Sequence, residues 1–219
     1  MYTQETSLKK LVLSGGLNLS DLQDLLNCHK NVETLQMTNM KERFSPTLTL
    51  PTKLRYLNIS NNLNLPQIKL PFLTQLIIDH APFDQKQLGE ILEHCPNLLF
   101  ISAKYCKLLE VVDMRHRNLT TISLFGCVEL KSCTIYCPKL AFLNIGKTSL
   151  TDETVANILK NNDALKQLHT SYCTNLVDPF NTVTSHRSLM IWNVGSCGLS
   201  DTALLNALQK VPTLQIMKN

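Results

Sequence analysis

Apolar residues recur along almost the whole chain in the register L-x-x-L-x-L, where L is any apolar residue, and a small or polar residue stands at the ninth position. The clearest copies run Leu98, Ile101, Ala103, Cys106 and Leu119, Ile122, Leu124, Cys127. They continue as Leu140, Leu143, Ile145, Thr148, then Leu165, Leu168, Thr170, Cys173, then Leu189, Trp192, Val194, Cys197. Weaker copies precede them: Leu8, Leu11, Leu13, Gly16; Val32, Leu35, Met37, Met40; Leu54, Leu57, Ile59, Asn62; and Leu73, Leu76, Ile78, Ala81. The chain ends in a further copy, Leu214 and Met217. The starts at 8, 32, 54, 73, 98, 119, 140, 165, 189 and 214 lie 19 to 25 residues apart. Ten registers at that period are an internal repeat, in which each copy is one supersecondary unit that buries its apolar face against the next.

The x-L-x-L-x core of each copy alternates with period two and so predicts a strand with its L positions inward and its x positions outward. Ten parallel strands at about 4.8 Å spacing give a curved sheet about 45 Å along its arc. Between strands the chain must return. Residues 20–30, 84–94, 151–162 and 200–210 have helical spacing. Their apolar stripes include Leu88, Ile91, Leu92; Val155, Ile158, Leu159; and Leu204, Leu205, Leu208. Ser20 with Gln23 reads as a capping box, and Thr151 and Ser200 as N-caps. The shorter returns 109–118 and 128–139 predict a single turn or none, and 177–188, with Asp178-Pro179, predicts loop.

This pattern resembles the leucine-rich repeat family over residues 8–217. Several copies are similar to its cysteine-containing subtype, with Cys-Pro before the first Leu (Cys95-Pro96-Asn97-Leu98, Cys137-Pro138-Lys139-Leu140) and Cys at the ninth position (Cys106, Cys127, Cys173, Cys197). "SLTDETVANIL" and "GLSDTALLNAL" match the turn into that subtype's convex helix. The resemblance implies one α/β solenoid domain over 1–219: a curved parallel sheet of about ten repeats, with helices and loops on its convex side. It also implies ninth-position side chains turned inward against neighbouring turns, where a thiol acts as a small apolar group with a weak donor. Disulfides 106–127 and 173–197 are alternatives. Cys133 belongs to neither cysteine row, and the pattern supplies no role for it. Trp192, on the ladder, is read as core.

Composition narrows the functional classes. The 219 residues are 44% hydrophobic and 17% charged, with a thin net charge of +4. The densest basic cluster, Arg115-His116-Arg117, is too short for a nucleic-acid stripe. No apolar run approaches a membrane span, and Met1 to Lys10 lack the apolar core of a signal peptide. The 8 cysteines include no CxxC, and Cys133 and Cys137 have no second pair at zinc-ligand spacing. There is no phosphate loop and no HExxH. Cys173 and His169 are four apart but on opposite faces of the chain, so no nucleophile has a base. No enzyme activity, cofactor or metal is expected.

Function is then expected on the outward positions. Tyr56, Phe100, Phe142 and Ile191 occupy third positions, Ile77 and His169 fifth positions, and Lys104, Tyr105, Phe125 and Tyr172 the strand ends. Contiguous outward aromatics mark a contact surface and are the commonest anchors of interfaces. The expectation is a non-catalytic module that binds a protein partner on its concave face, in a compartment such as the cytoplasm that keeps thiols reduced. The resemblance to the repeat region of F-box proteins, here without an F-box, implies substrate recognition in a ubiquitin-ligase-like adaptor. A pathogen effector acting in the host cytosol is the alternative. Nucleic acid and membrane are disfavoured as partners. No polar cap covers either end of the repeat, so a piece of a larger protein or end-to-end self-association through a terminal strand is also expected.

Overall fold

The computed structural model describes residues 8–218. In chain order the elements are β1 (Lys10–Ser14), α1 (Leu19–Cys28), β2 (Thr34–Thr38), β3 (Tyr56–Asn58), β4 (Gln75–Ile77), α2 (Gln85–His94), β5 (Phe100–Ser102) and β6 (Val111–Arg115). They continue as β7 (Thr121–Ser123), β8 (Ser132–Tyr136), β9 (Phe142–Asn144), α3 (Asp152–Asn161), β10 (Gln167–His169), β11 (Ile191–Asn193), α4 (Asp201–Lys210) and β12 (Gln215–Met217). Ten strands form one parallel sheet in the order β1-β2-β3-β4-β5-β7-β9-β10-β11-β12.

Equivalent repeat positions pair across this sheet. Leu35, Leu57, Leu76, Ile101, Ile122, Leu143, Leu168 and Trp192 stand in one row and are fully buried. Trp192 is core, as its ladder position predicts. Its Nε1 donates to Thr170 Oγ1 at 3.0 Å, and its ring lies 4.7 Å from that of Phe180. The buried row merges with the inner faces of the returns into one apolar core.

Where the chain leaves each strand, the backbone makes the same bend. The eighth residue of nine copies (Gly15, Asn39, Asn61, His80, Tyr105, Gly126, Lys147, Tyr172, Ser196) has φ between 55° and 75°. This left-handed conformation disfavours any residue with a Cβ by roughly 1–2 kcal/mol, so something must repay it. The bend aims the N–H of residues 39, 61, 80, 105, 126, 147 and 172 at a turn carbonyl of the following copy, at 2.7–3.4 Å. It also turns the ninth side chain into the core. Cys106, Cys127, Cys173 and Cys197 donate their S–H to Ile78, Ala103, Ile145 and Thr170 carbonyls at 3.4, 3.1, 3.2 and 2.8 Å. Asn62 does more: its amide donates to Met37 O and Ile59 O at 2.7 Å, and its Oδ1 accepts from Met40 N at 2.9 Å.

The returns follow the spacing of the copies. Each helix has ten residues and occurs only where successive starts are 24 or 25 apart. The two intervals of 21, after Leu98 and after Leu119, have no room for one. There the return is extended, contrary to the expectation of a turn or none: β6 and β8 pair in parallel as a second, two-stranded sheet. Both strands bury alternate residues, Val112 and Met114 in one and Cys133 and Ile135 in the other. Cys133 thus has a role as an inward strand residue. Gln85 closes the outer edge of β6, its amide donating to Asp113 O at 3.0 Å and accepting from Asp113 N at 3.1 Å.

Two helix expectations are corrected, the box of Ser20 with Gln23 and the leucine stripe of α4. The N-cap of α1 is Asn18, which accepts from Asp21 N, while Gln23 bonds Asn27 and Thr49 instead of closing a box with Ser20. Thr151 stands at the N-cap of α3 without a side-chain cap bond, whereas Ser200 caps α4 through Ala203 N. A true capping box occurs at Asp84 and Gln87. In α4 the small residues Ala203 and Ala207 face the core, and Leu205 and Leu208 point outward. Leu204 is partly buried against the core beside them.

Three copies have a buried polar residue three positions before the first Leu: His116, Asn162 and His186. His116 Nδ1 faces the backbone N–H of Asn118 and Leu119 at 3.3 and 3.1 Å, so it must accept, and Nε2 then donates to Cys95 O at 3.1 Å. Asn162 takes the equivalent position, accepting from Cys137 N and donating to Ile135 O and Ile158 O. Protonation of His116 would turn Nδ1–H against two donors, and burial holds its pKa below the usual 6.5.

Two outcomes follow. Asn62→Ala leaves three backbone groups without partners and is expected to cost about 3 kcal/mol in urea unfolding. A cost within about 0.5 kcal/mol of zero would show that this row does not hold the copies together. Because the unfolded chain takes up a proton that folded His116 refuses, stability is expected to fall as pH drops through about 6.5 towards the lower folded value. Melting temperatures from about pH 7.5 to about pH 5 should decline less in His116→Asn, and equal decline would refute the assignment.

Candidate functional site

The pleat that buries the fourth and sixth positions leaves the third and fifth in two rows on the concave face. The third-position row reads Thr34, Tyr56, Gln75, Phe100, Thr121, Phe142, Gln167, Ile191 in register. Its large residues stand on alternate strands, with Gln or Thr between them. Tyr56, Phe100, Phe142 and Ile191 are half-buried rather than free in solvent, as are Ile77 and His169 in the fifth-position row. Phe142 and His169 touch, with centroids 4.9 Å apart at 54°. Burial lowers the pKa of His169 and favours the neutral ring.

A second group gathers at the bends. His80 stacks on Tyr105 at 4.7 Å and 18°, and Tyr105 meets the edge of Phe125 at 5.5 Å and 85°. Glycines of the following copies make room for these rings. A Cβ on Gly126, whose φ is +75°, would lie 2.4 Å from Tyr105 Cδ1, and one on Gly146 would lie 3.0 Å from Phe125 Cδ2. Lys104 is half-buried beside them, and Tyr172, further along the same rim, is 56% exposed. Of the ten expected site residues, Tyr105 with Phe125 and Phe142 with His169 are thus brought into ring contact. Tyr56 and Ile191 lie in the same row but further along the arc.

Most polar groups of the fifth-position row are spoken for. Asn58, Asn144 and Asn193 accept through Oδ1 from Ser60 N, Gly146 N and Gly195 N at 3.1, 3.0 and 3.1 Å. Ser102 Oγ donates to Asp79 Oδ1 at 2.6 Å, which also accepts from Lys104 N at 2.8 Å. Ser123 differs. It is 5% exposed, lies between Ser102 and Asn144 in the row, and its Oγ has no hydrogen-bond partner. At the other rim, where the strands begin, Arg55, Phe72, Thr74, Asn97, Leu99 and Asn118 line a shallow cleft of about 430 Å³. Phe72 and Leu99 are 54% and 43% exposed there. The third- and fifth-position pattern does not reach these residues. The signal was their place one residue before and one after the first Leu.

Catalytic geometry is not assembled at the pair the sequence offered. Cys173 Sγ points inward to Ile145 O, while the His169 ring lies on the concave face against Phe142. Among the described residues no group of three or more His, Cys, Asp or Glu is placed to hold a metal. The cysteines form no disulfide, and all but Cys28 are buried. Burial raises Cys133 to about 12 and Cys137 to about 11, and also raises Cys95, Cys173 and Cys197. Cys106 is pushed up by its hydrogen bond with Cys127 and by burial. A thiol-reactive dye on the native protein should therefore label about one cysteine rapidly, at Cys28, and the rest only on unfolding. Rapid labelling of any ladder cysteine would contradict this packing.

No family model and no curated protein matches the chain. Solved structures do. A chain in the crystal structure of the Rad7 and Elc1 complex in yeast is similar over 95% of this chain, with a TM-score of 0.65 and 15% identity. This chain spans 62% of the length of that one. An internalin from Listeria monocytogenes aligns over 97% of this chain and 87% of its own, at 14% identity and a TM-score of 0.37. No described helix is long and apolar enough to cross a membrane. The register of the strands, the repeated bends and the likeness to the yeast chain together make this an α/β leucine-rich repeat solenoid.

Proposed function

We propose that this chain is a non-catalytic recognition module that receives a protein partner on its concave face. The observation that carries the reading is the row of large third-position side chains, Tyr56, Phe100, Phe142 and Ile191, flanked by the ring cluster of His80, Tyr105 and Phe125. Nothing in the core requires aromatics there, since the fourth and sixth positions already fill it. Half-buried rings on a rigid parallel sheet lose little conformational freedom on binding, which is what makes such residues effective anchors. The similar yeast chain was solved in a complex of two proteins, a use of the fold that agrees with this reading. Eight cysteines without a disulfide fit a compartment that keeps thiols reduced, such as the cytoplasm.

Affinity capture from cells compares wild type with the triple variant Phe100→Ser, Phe142→Ser, Tyr172→Ser, and with Val177→Ser on an exposed return as control. Wild type and control should recover a common protein that the triple variant loses, with all three melting as folded chains. Equal recovery by a folded triple variant would remove the concave face as the site.

A further inference from the structure

We infer that the occupant of the concave face is an acidic segment of a protein, with one apolar or aromatic side chain of that segment seated between Phe100 and Phe142. The inference rests on the concave-face reading above and adds the chemistry of the partner.

The first argument is the placement of charge. From Leu98 to Ser196, the strand and bend positions of five copies carry Lys104, Lys147 and Lys166 and no carboxylate. Every Asp and Glu between residues 98 and 197 lies in a return segment. The returns of this region balance their own charges, with Lys107, Arg115, Arg117, Lys131, Lys139, Lys160 and Arg187 against their carboxylates, so the strand lysines are left over. Lys104 and Lys147 follow their strands and Lys166 precedes its own, so positive charge flanks the aromatic row at both rims. None of the three forms an ion pair among the described residues, whereas Lys9 and Arg55, at the other end of the sheet, are held by Glu33. Asp79, just before this region, is engaged by Ser102 and by Lys104 N. His169 is held towards its neutral form by burial and adds little positive charge at neutral pH. The central and C-terminal part of the concave face is thus a basic strip without its counter-charges, and such a strip selects acidic partners.

The second argument is the slot. Phe100 and Phe142 stand on β5 and β9, two strands apart with β7 between, hence about 9.6 Å from each other. On β7 the third position is Thr121, so the row drops between the two rings. That gap has the width of one flat ring or branched aliphatic side chain in contact with both walls. Ser123, also on β7, contributes the buried hydroxyl that has no partner within the protein. A buried hydroxyl left unpaired is unfavourable. Its oxygen is shut off from solvent in the free chain, so an incoming polar atom would reach it only as the covering side chains turn aside.

The probes are dye-labelled random copolymer of Glu and Tyr, poly-Glu, and copolymer of Lys and Tyr, each titrated against the full chain by fluorescence anisotropy. The Glu/Tyr copolymer should bind roughly tenfold tighter than either control, and binding should weaken steeply as salt rises. Amide NMR shifts should centre on Thr121, Ser123 and Asn144. Lys104→Glu, Lys147→Glu, Lys166→Glu together, and Phe142→Ala alone, should each lower affinity several-fold while the chain still melts cooperatively. Equal binding of the Lys/Tyr copolymer or of poly-Glu would overturn the inference, as would shifts confined to the helices. Failure of every probe would overturn it too. Loss of the captured partner in the Phe100, Phe142, Tyr172 variant would then still uphold the concave face as the site, with a different chemistry.

Discussion

The structure depends on hydrogen bonds and apolar contacts that no single copy can make for itself. Each strand is only three to five residues long, and each bend holds a left-handed residue that is unfavourable alone. The N–H groups of these bends find their carbonyls in the following copy, and the ninth side chains donate to carbonyls of the preceding one. The buried row of Leu, Ile and Trp closes only when neighbours lie in register. Stability is therefore a property of the interface between copies, and the repeating cysteines are part of that interface as buried donors.

The same constraint creates the surface that is free to recognise something else. Because the fourth, sixth and ninth positions are committed inward, the third, fifth, seventh and eighth can vary without loss of core. In this chain they vary towards rings. Tyr105 and Phe125 spread over Gly126 and Gly146, so an aromatic in one copy is matched by a missing side chain in the next. That matching is a relation between copies some 21 residues apart in sequence.

Charge follows the same division. Between residues 98 and 197 the carboxylates occupy the returns, together with an equal number of basic residues, and lysines border the aromatic row. A lysine-bordered face steers an approaching acidic partner before contact. Likeness of fold to the yeast chain carries the scaffold and not these residues: at 15% identity the variable positions are this chain's own.

The sequence by itself determined the parallel stack, the inward rows and the outward aromatics, because apolar period two within copies and a period of 19 to 25 between them allow few other arrangements. It also placed Trp192 in the core and the ninth-position cysteines at the bends. Tertiary structure decided what depends on the space left by neighbours. The returns of 21-residue copies became strands because a ten-residue helix does not fit, and this settled Cys133. On α4 the tertiary structure turned Ala203 and Ala207 to the core and left Leu205 and Leu208 outward. Ser123 was visible as an outward residue, but its unpartnered hydroxyl was not, since a hydrogen bond is a matter of distance to atoms far away in the chain. Local pattern specifies which way a side chain faces, and only assembly specifies what it meets there.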